Sequence, residues 1–142
     1  MKVMRQEEWR EFLRASPPRT AKVATVRADG TAHVVPVWFD LDGDDVVFTT
    51  WRETAKARDL RRDPRVSLCV DDDRPPFSFV MIEGTARISD NLEEVRAWAT
   101  RIAGRYLGVM RAKAYGARNG VPGELLVRIR PVHVTGRSGV AD

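Results

Sequence analysis

Apolar and polar positions alternate with a period of two along most of this chain and shift to a helical period in a few stretches. Ala21 to Arg27 and Ala32 to Leu41 are rich in β-branched and aromatic residues and are joined by Ala28-Asp29-Gly30-Thr31. Asp-Gly is a strong hairpin signal because Gly tolerates positive φ. A second turn, Asp42-Gly43-Asp44-Asp45, leads into Val46 to Thr50, so the pattern predicts a three-stranded antiparallel meander before any long helix. Further on, Val66 to Val70 and the long run Phe77 to Ile88 read as a pair of neighbouring strands. Gly84 marks a bulge or bend in the second of them. Leu125 to Arg130 and Val132 to Gly136 supply the closing strands, and Pro131 must sit at an edge or a break in the ladder because it has no N–H to donate.

Helical spacing appears at residues 4 to 14, where Met4, Trp9, Phe12 and Leu13 share a face and Pro17-Pro18 ends the segment. It reads as a lid on one end of a sheet. Residues 53–62 form a second helix, started by Thr54 or by Thr50 with Glu53 in a capping box. A third runs from about Leu92 to Leu107, with caps at Ser89 to Glu93, an inward face of Val95, Trp98, Ala99, Ile102 and Tyr106, and Gly108 as its stop. Residues 109 to 123 are weakly helical at first and then turn-rich, which predicts a mobile connection, and the last six residues read as a tail. About six strands without βαβ alternation predict a mainly β (α+β) fold: a six-stranded antiparallel Greek-key barrel with flanking helices at its ends.

Length and composition narrow the picture. A chain of 142 residues matches one domain, spanning 1–142, and can bury a core without staples. Cys69, the one cysteine, sits in the apolar run VSLCV and reads as a small core residue. MKVMRQEEWREF carries acidic residues where a signal peptide needs an apolar run, and no stretch approaches the ~18 apolar residues of a membrane span, so a cytoplasmic protein is expected. Net charge is +4, yet the basic residues are interspersed among 20 acidic ones, with no continuous basic stripe carrying aromatics. That argues against a nucleic-acid partner.

Most familiar catalytic chemistries are also missing. His33 and His133 lie inside strands with no G-x-S-x-G and no adjacent cysteine, so a hydrolytic triad is not written here. One cysteine and two distant histidines give no zinc spacing, and Asp71-Asp72-Asp73 reads as a solvated loop. Neither a G-x-G-x-x-G after a strand nor a P-loop is present. What remains is Val46 to Val70, VVFTTWRETAKARDLRRDPRVSLCV. Its first strand ends in Thr49 and Thr50, and Arg52 and Lys56 follow within two helical turns, so hydroxyls, cations and the free N–H groups of a helix start can meet one anion. Beside this cluster, Pro36-Val37-Trp38 offers a flat apolar strand edge. A planar ring with a phosphate-bearing tail suits both halves; solvated helix charges and a core Trp38 are the plainer alternative.

The order HVVPVWF, VVFTTWRETAKARDLRRDPRVSLCV, FVMIEGTARI and VRIRPVHVTG closely resembles the pyridoxamine-phosphate-oxidase-like FMN-binding split-barrel family, and within it the short actinobacterial branch that uses the deazaflavin coenzyme F420. The resemblance runs from about Trp9 to Gly136. Its most specific part is T-x-x-x-x-x-K followed by a leucine and D-P-R-V. It implies that Thr49, Thr50, Arg52, Lys56 and the backbone near Ala57 hold the cofactor phosphate, while Pro36, Val37 and Trp38 line the ring. It also implies a homodimer with cofactor sites between subunits, where Phe77, Phe79 or residues near Tyr106 complete the partner's site. The chain is shorter than pyridoxamine-phosphate oxidase proper and lacks the C-terminal arginine and histidine motif of those enzymes.

The function expected is hydride transfer between reduced F420 and an unidentified small organic acceptor, with the protein supplying orientation and exclusion of water. No catalytic side chain is assigned, although Tyr106 would be placed to donate a proton if it faced the cleft. Two alternatives stay open: an FMN-binding reductase or oxidase using the same grip, and a flavin or F420 carrier without turnover.

Overall fold

The computed structural model describes residues 1–142. In chain order the elements are β1 (Lys2–Val3), α1 (Gln6–Arg14), β2 (Ala21–Val26), β3 (Ala32–Val37), β4 (Asp40–Asp42), β5 (Asp45–Trp51), α2 (Ala55–Arg62), β6 (Arg65–Asp72), β7 (Ser78–Ser89), α3 (Leu92–Leu107), α4 (Val109–Asn119) and β8 (Glu124–Ser138). They make an antiparallel split barrel flanked by helices, with eight strands rather than six. The two additional strands are the short β1, paired to the far end of β8, and β4, which splits from the run that reads as one strand.

Strand order along the sheet is β3-β2-β6-β7-β8-β5-β4. The predicted meander is therefore interrupted. β2 and β3 form the expected hairpin around Gly30 (φ 86°), but β3 does not pair with β5. At Trp38-Phe39 the chain leaves one end of the sheet and rejoins the other as β4, whose partner is β5. The two sheet ends are thus joined covalently, and this corner closes the barrel. Inside it, residues of β2, β5, β6, β7 and β8 are buried, among them Val23, Phe48, Leu68, Val70, Val80, Ile82, Val127 and Ile129, together with Phe39 of the corner. Trp9 and Leu13 of α1 cap one end of this core, as the helical spacing predicts.

Gly84 lies at a register shift between β7 and β8, opposite Pro131. A Cβ there would stand 2.4 Å from the Arg130 carbonyl oxygen, so the close approach of two backbones requires glycine. Pro131 occupies a break in the ladder, and β8 continues through it as one bent strand to Ser138. The tail is tied down as well: Val140 and Ala141 donate their amides to the carbonyls of Phe77 and Pro76.

Two further expectations are corrected. Residues 109–119 form the helix α4, packed antiparallel on α3. The contact is made by small residues: a Cβ on Gly116 would fall 1.9 Å from the Thr100 hydroxyl oxygen, and one on Gly120 would fall 2.7 Å from the Arg96 Cβ. Cys69 is half-buried on the face of β6 opposite Leu68 and Val70, beside Lys22 and Asp71, and is not part of the core. Burial and the Asp71 charge raise its thiol above the usual range, so it is a poor nucleophile. No helix is long and apolar enough to cross a membrane.

Candidate functional site

The start of α2 is built by a chain of hydroxyls. Thr54 is the N-cap, with its side chain accepting from the Ala57 amide at 3.3 Å. The same hydroxyl donates to the Trp51 carbonyl at 3.0 Å and lies 2.8 Å from the Thr50 hydroxyl. A hydroxyl has one proton. With the Thr54 proton on Trp51, the Thr50 proton goes to Thr54, and both hydroxyls are spent fixing the turn between β5 and α2. Thr50 is buried with Phe48 on the inner face of β5, whereas Thr49 points to the opposite face, level with Leu126 and beside α3.

This arrangement leaves a defined set of donors free. The amides of Ala55 and Lys56, in the first turn of α2, have no acceptor, as expected at a helix N-terminus. The Lys56 ammonium makes no hydrogen bond and is half-buried; that burial pushes it below the ordinary lysine range, opposed by the charge of Glu124. Arg52 is exposed in the turn, with its guanidinium 5.5 Å from the Trp51 ring centroid. Ala57 is buried beneath this turn. Lys56, Arg52 and the two free amides lie within five residues of chain around the helix start, a donor set (the cradle) of the kind that suits a phosphate.

Pro36, Val37 and Trp38 lie at the end of β3 and in the closing corner. Pro36 is exposed on the outer face, Val37 is buried and Trp38 is half-buried. Trp38 stacks on Tyr106 of α3, with ring centroids 5.0 Å apart and planes 6° from parallel, and Tyr115 of α4 adds a tilted contact at 5.6 Å. No hydrogen bond or ring contact joins this group to the cradle. The register of β4 on β5 sets Asp40 opposite Val47, and carrying that pairing back by two residues brings Trp38 to the level of Thr49. The corner thus runs toward the end of β5 that carries the cradle.

Tyr106 does not offer its hydroxyl to a cleft. It donates to the Arg19 carbonyl at 2.6 Å and accepts from the Phe39 amide at 3.2 Å, and burial raises its phenol above the usual range. Arg105 reinforces the same junction by donating to the carbonyls of Phe39 and Leu13. His33 is half-buried on β3 with its Nδ1 unpaired, opposite Thr25, whose hydroxyl donates to the buried carboxylate of Asp59.

Two participants are not evident from the sequence. Glu124, at the start of β8, stands opposite Trp51 in the ladder. Trp51 itself covers Gly123 so closely that a Cβ there would lie 2.3 Å from the ring. Glu124 and Gly123 are non-local to the helix that carries Lys56, and the only sequence signal for either is the Pro122-Gly123 turn before the last strand. No group of three or more His, Cys, Asp or Glu side chains is arranged to hold a metal ion.

Comparison with known proteins bears on the family and the fold. The family model for pyridoxamine 5'-phosphate oxidase matches residues 6–138. A conserved hypothetical protein of Mycobacterium tuberculosis is similar at 28% identity and a TM-score of 0.85, over 96% of this chain and 86% of the other. An F420 reductase is similar at 28% identity and a TM-score of 0.70, over 87% of this chain and 94% of the other. An FAD-binding protein of Mesorhizobium loti, at 19% identity and a TM-score of 0.70 over 95% of this chain and 93% of the other, shares the fold. With nearly its whole length matched by the family model, the chain belongs to the pyridoxamine 5'-phosphate oxidase family.

Proposed function

We propose that the chain is an F420-dependent reductase that passes a hydride from the reduced deazaflavin to a small, electron-poor organic acceptor. The observation that carries this reading is the start of α2, where the half-buried Lys56 ammonium makes no hydrogen bond or ion pair and the amides of Ala55 and Lys56 are free, four residues after the exposed Arg52. Family membership and the similarity to an F420 reductase support it. The donor set fits a phosphate: two cations and two amides around one turn.

In this reading Lys56 and Arg52 hold the phosphate, and the buried Ala57 seats the turn beneath it. Thr50 acts through Thr54 to fix the helix start, and Thr49 forms the neighbouring strand end. Pro36, Val37 and Trp38 border the ring, with Trp38 kept in place by the Tyr106 stack. When bound, the coenzyme supplies the hydride chemistry, which accounts for a site without an acid–base dyad. The protein's part is orientation and exclusion of water. Fluorescence titration with reduced F420 is expected to show binding at micromolar protein or below; no binding at that concentration rejects the reading.

The same donors suit FMN, and a flavin reductase or oxidase is the second reading. A purified protein that is yellow, absorbing near ~450 nm as flavins do, decides for FMN. A tightly bound reduced coenzyme that is never oxidised by enones, quinones or tetrapyrroles decides for a carrier. The reading includes a homodimer. Val34, Val26 and Val132 are exposed, at 66%, 36% and 74%, along β3, β2 and β8, and form an apolar surface suited to a second copy. Sedimentation of the chain at twice the monomer mass is the expected result.

A further inference from the structure

Glu124 is an unexpected neighbour for an anion site. It opens β8, and its segment is fastened to the cradle: the Arg52 amide donates to the Gly123 carbonyl at 3.0 Å, and the Trp51 ring lies over Gly123, which the turn holds at φ 99°. The Glu124 carboxylate is half-buried, makes no hydrogen bond and closes no ion pair, although it is near enough to Lys56 for each charge to bias the other's protonation. A half-buried carboxylate without a hydrogen-bonding partner costs free energy. Nothing in the fold requires this one, because it neither caps a helix nor bridges strands.

The charges around the cradle explain what it does. The turn and α2 carry Arg52, Lys56, Arg58 and Arg61, the last donating to the Arg52 carbonyl, together with Glu53, which the Trp51 indole holds by a 3.4 Å hydrogen bond, and Glu124 adds its charge beside Lys56. Each of these carboxylates offsets part of the cationic charge offered to an anion and opposes a second negative charge on it more strongly than the first. A phosphodiester carries one negative charge at every working pH, whereas a phosphomonoester carries close to two above its second pKa of about 6. We propose that Glu124 is a specificity-determining residue that disfavours a dianionic phosphomonoester in the Arg52–Lys56 cradle and so selects a cofactor whose phosphate is a monoanionic diester.

This rests on the reading of the cradle as a phosphate site, and it supplies the physical basis on which a deazaflavin phosphodiester would be chosen over FMN. Glu124 acts on the bound phosphate through space, without touching the reacting ring.

The test uses the full chain and two probes that differ only at phosphorus, FMN and its phosphate monomethyl ester, with riboflavin as the ligand lacking phosphate. Binding is followed by flavin fluorescence at pH 8 and pH 5.5. The wild-type chain is expected to prefer the methyl ester roughly tenfold at pH 8, the size of one additional like-charge interaction near a protein surface. That preference shrinks at pH 5.5, where FMN takes up a proton and Glu124 moves toward its neutral form. Glu124→Gln is expected to tighten both esters, FMN by the larger factor, and to abolish the preference at pH 8. An equal ratio of affinities in wild type and Glu124→Gln, together with a ratio unmoved by pH in the wild type, overturns the role of Glu124 while leaving the cradle intact. Esters that bind no better than riboflavin overturn the phosphate site itself, and the inference with it.

Discussion

The Tyr106 hydroxyl donates to the Arg19 carbonyl while accepting from the Phe39 amide, so one side chain of α3 locks the corner that closes the barrel. Its ring carries Trp38 in a parallel stack at the same corner. Tyr106→Phe keeps the stack and deletes the hydroxyl, leaving a backbone donor and an acceptor unpaired. The loss should be about 1–3 kcal/mol of unfolding free energy, measured by denaturant titration. Affinity for the cofactor should change little, since the hydroxyl faces the protein; a loss of turnover with unchanged binding and stability would instead assign Tyr106 a proton-transfer role.

Lys56 is the centre of the cradle. As a charged donor to phosphate it should contribute about 1.5–3 kcal/mol, so Lys56→Ala should weaken cofactor binding roughly 10- to 150-fold. Burial lowers the ammonium below the ordinary lysine value of 10.5. The cation is lost as pH rises through this lowered value, so wild-type binding should decay on the alkaline side earlier than an exposed lysine would allow. That decay should be absent from the alanine variant, and equal affinities for the two proteins would place Lys56 outside the site.

Gly84→Ala tests the bulge. The new methyl group would meet the Arg130 carbonyl oxygen at 2.4 Å, and a backbone atom cannot rotate away. Overpacking of this kind costs about 1–3 kcal/mol, a fall of about 3–10 °C in Tm for a domain of this size. Thermal unfolding by circular dichroism measures it, and an unchanged midpoint would mean that β7 and β8 separate easily here.

Acid should weaken the fold through a few paired carboxylates. Hydrogen bonds from Arg65 bring Asp63 down to about 2, those from Arg74 hold Asp72 far below its usual range, and Arg10 lowers Asp44. A carboxylate with a depressed folded pKa contributes stability above its unfolded value, and that contribution is lost as pH falls toward the folded one. Stability should therefore decline between about pH 4 and pH 2. These groups lie at the surface, so added salt should flatten the decline, and a profile insensitive to salt would point to buried groups instead.

Much of the local structure is legible in the residues themselves. Asn91 and Gly108 bracket α3 as the capping pattern predicts, and Thr54 starts α2. Helix α4 is only weakly legible because Gly116 within it and Gly108 and Gly120 at its ends are poor helix formers that read as turn residues. In space Ala112, Gly116 and Gly120 let α4 approach Gly104, Thr100 and Arg96 of α3 closely. The strand run 32–41 escapes local reading too: its alternation continues through Trp38-Phe39, and only barrel closure breaks it there.

By itself the sequence determined the strands, the caps, the glycine turns and the cations of α2, because each depends on neighbours within a few positions and on the backbone freedom of single residues. The tertiary structure decided which strands became the sheet's ends, that Tyr106 was committed to backbone partners and that Thr50 spent its proton on Thr54. It also brought Glu124 to Lys56. Those outcomes depend on segments far apart in the chain meeting in one place, where burial and charge act across space and periodicity carries no trace of them.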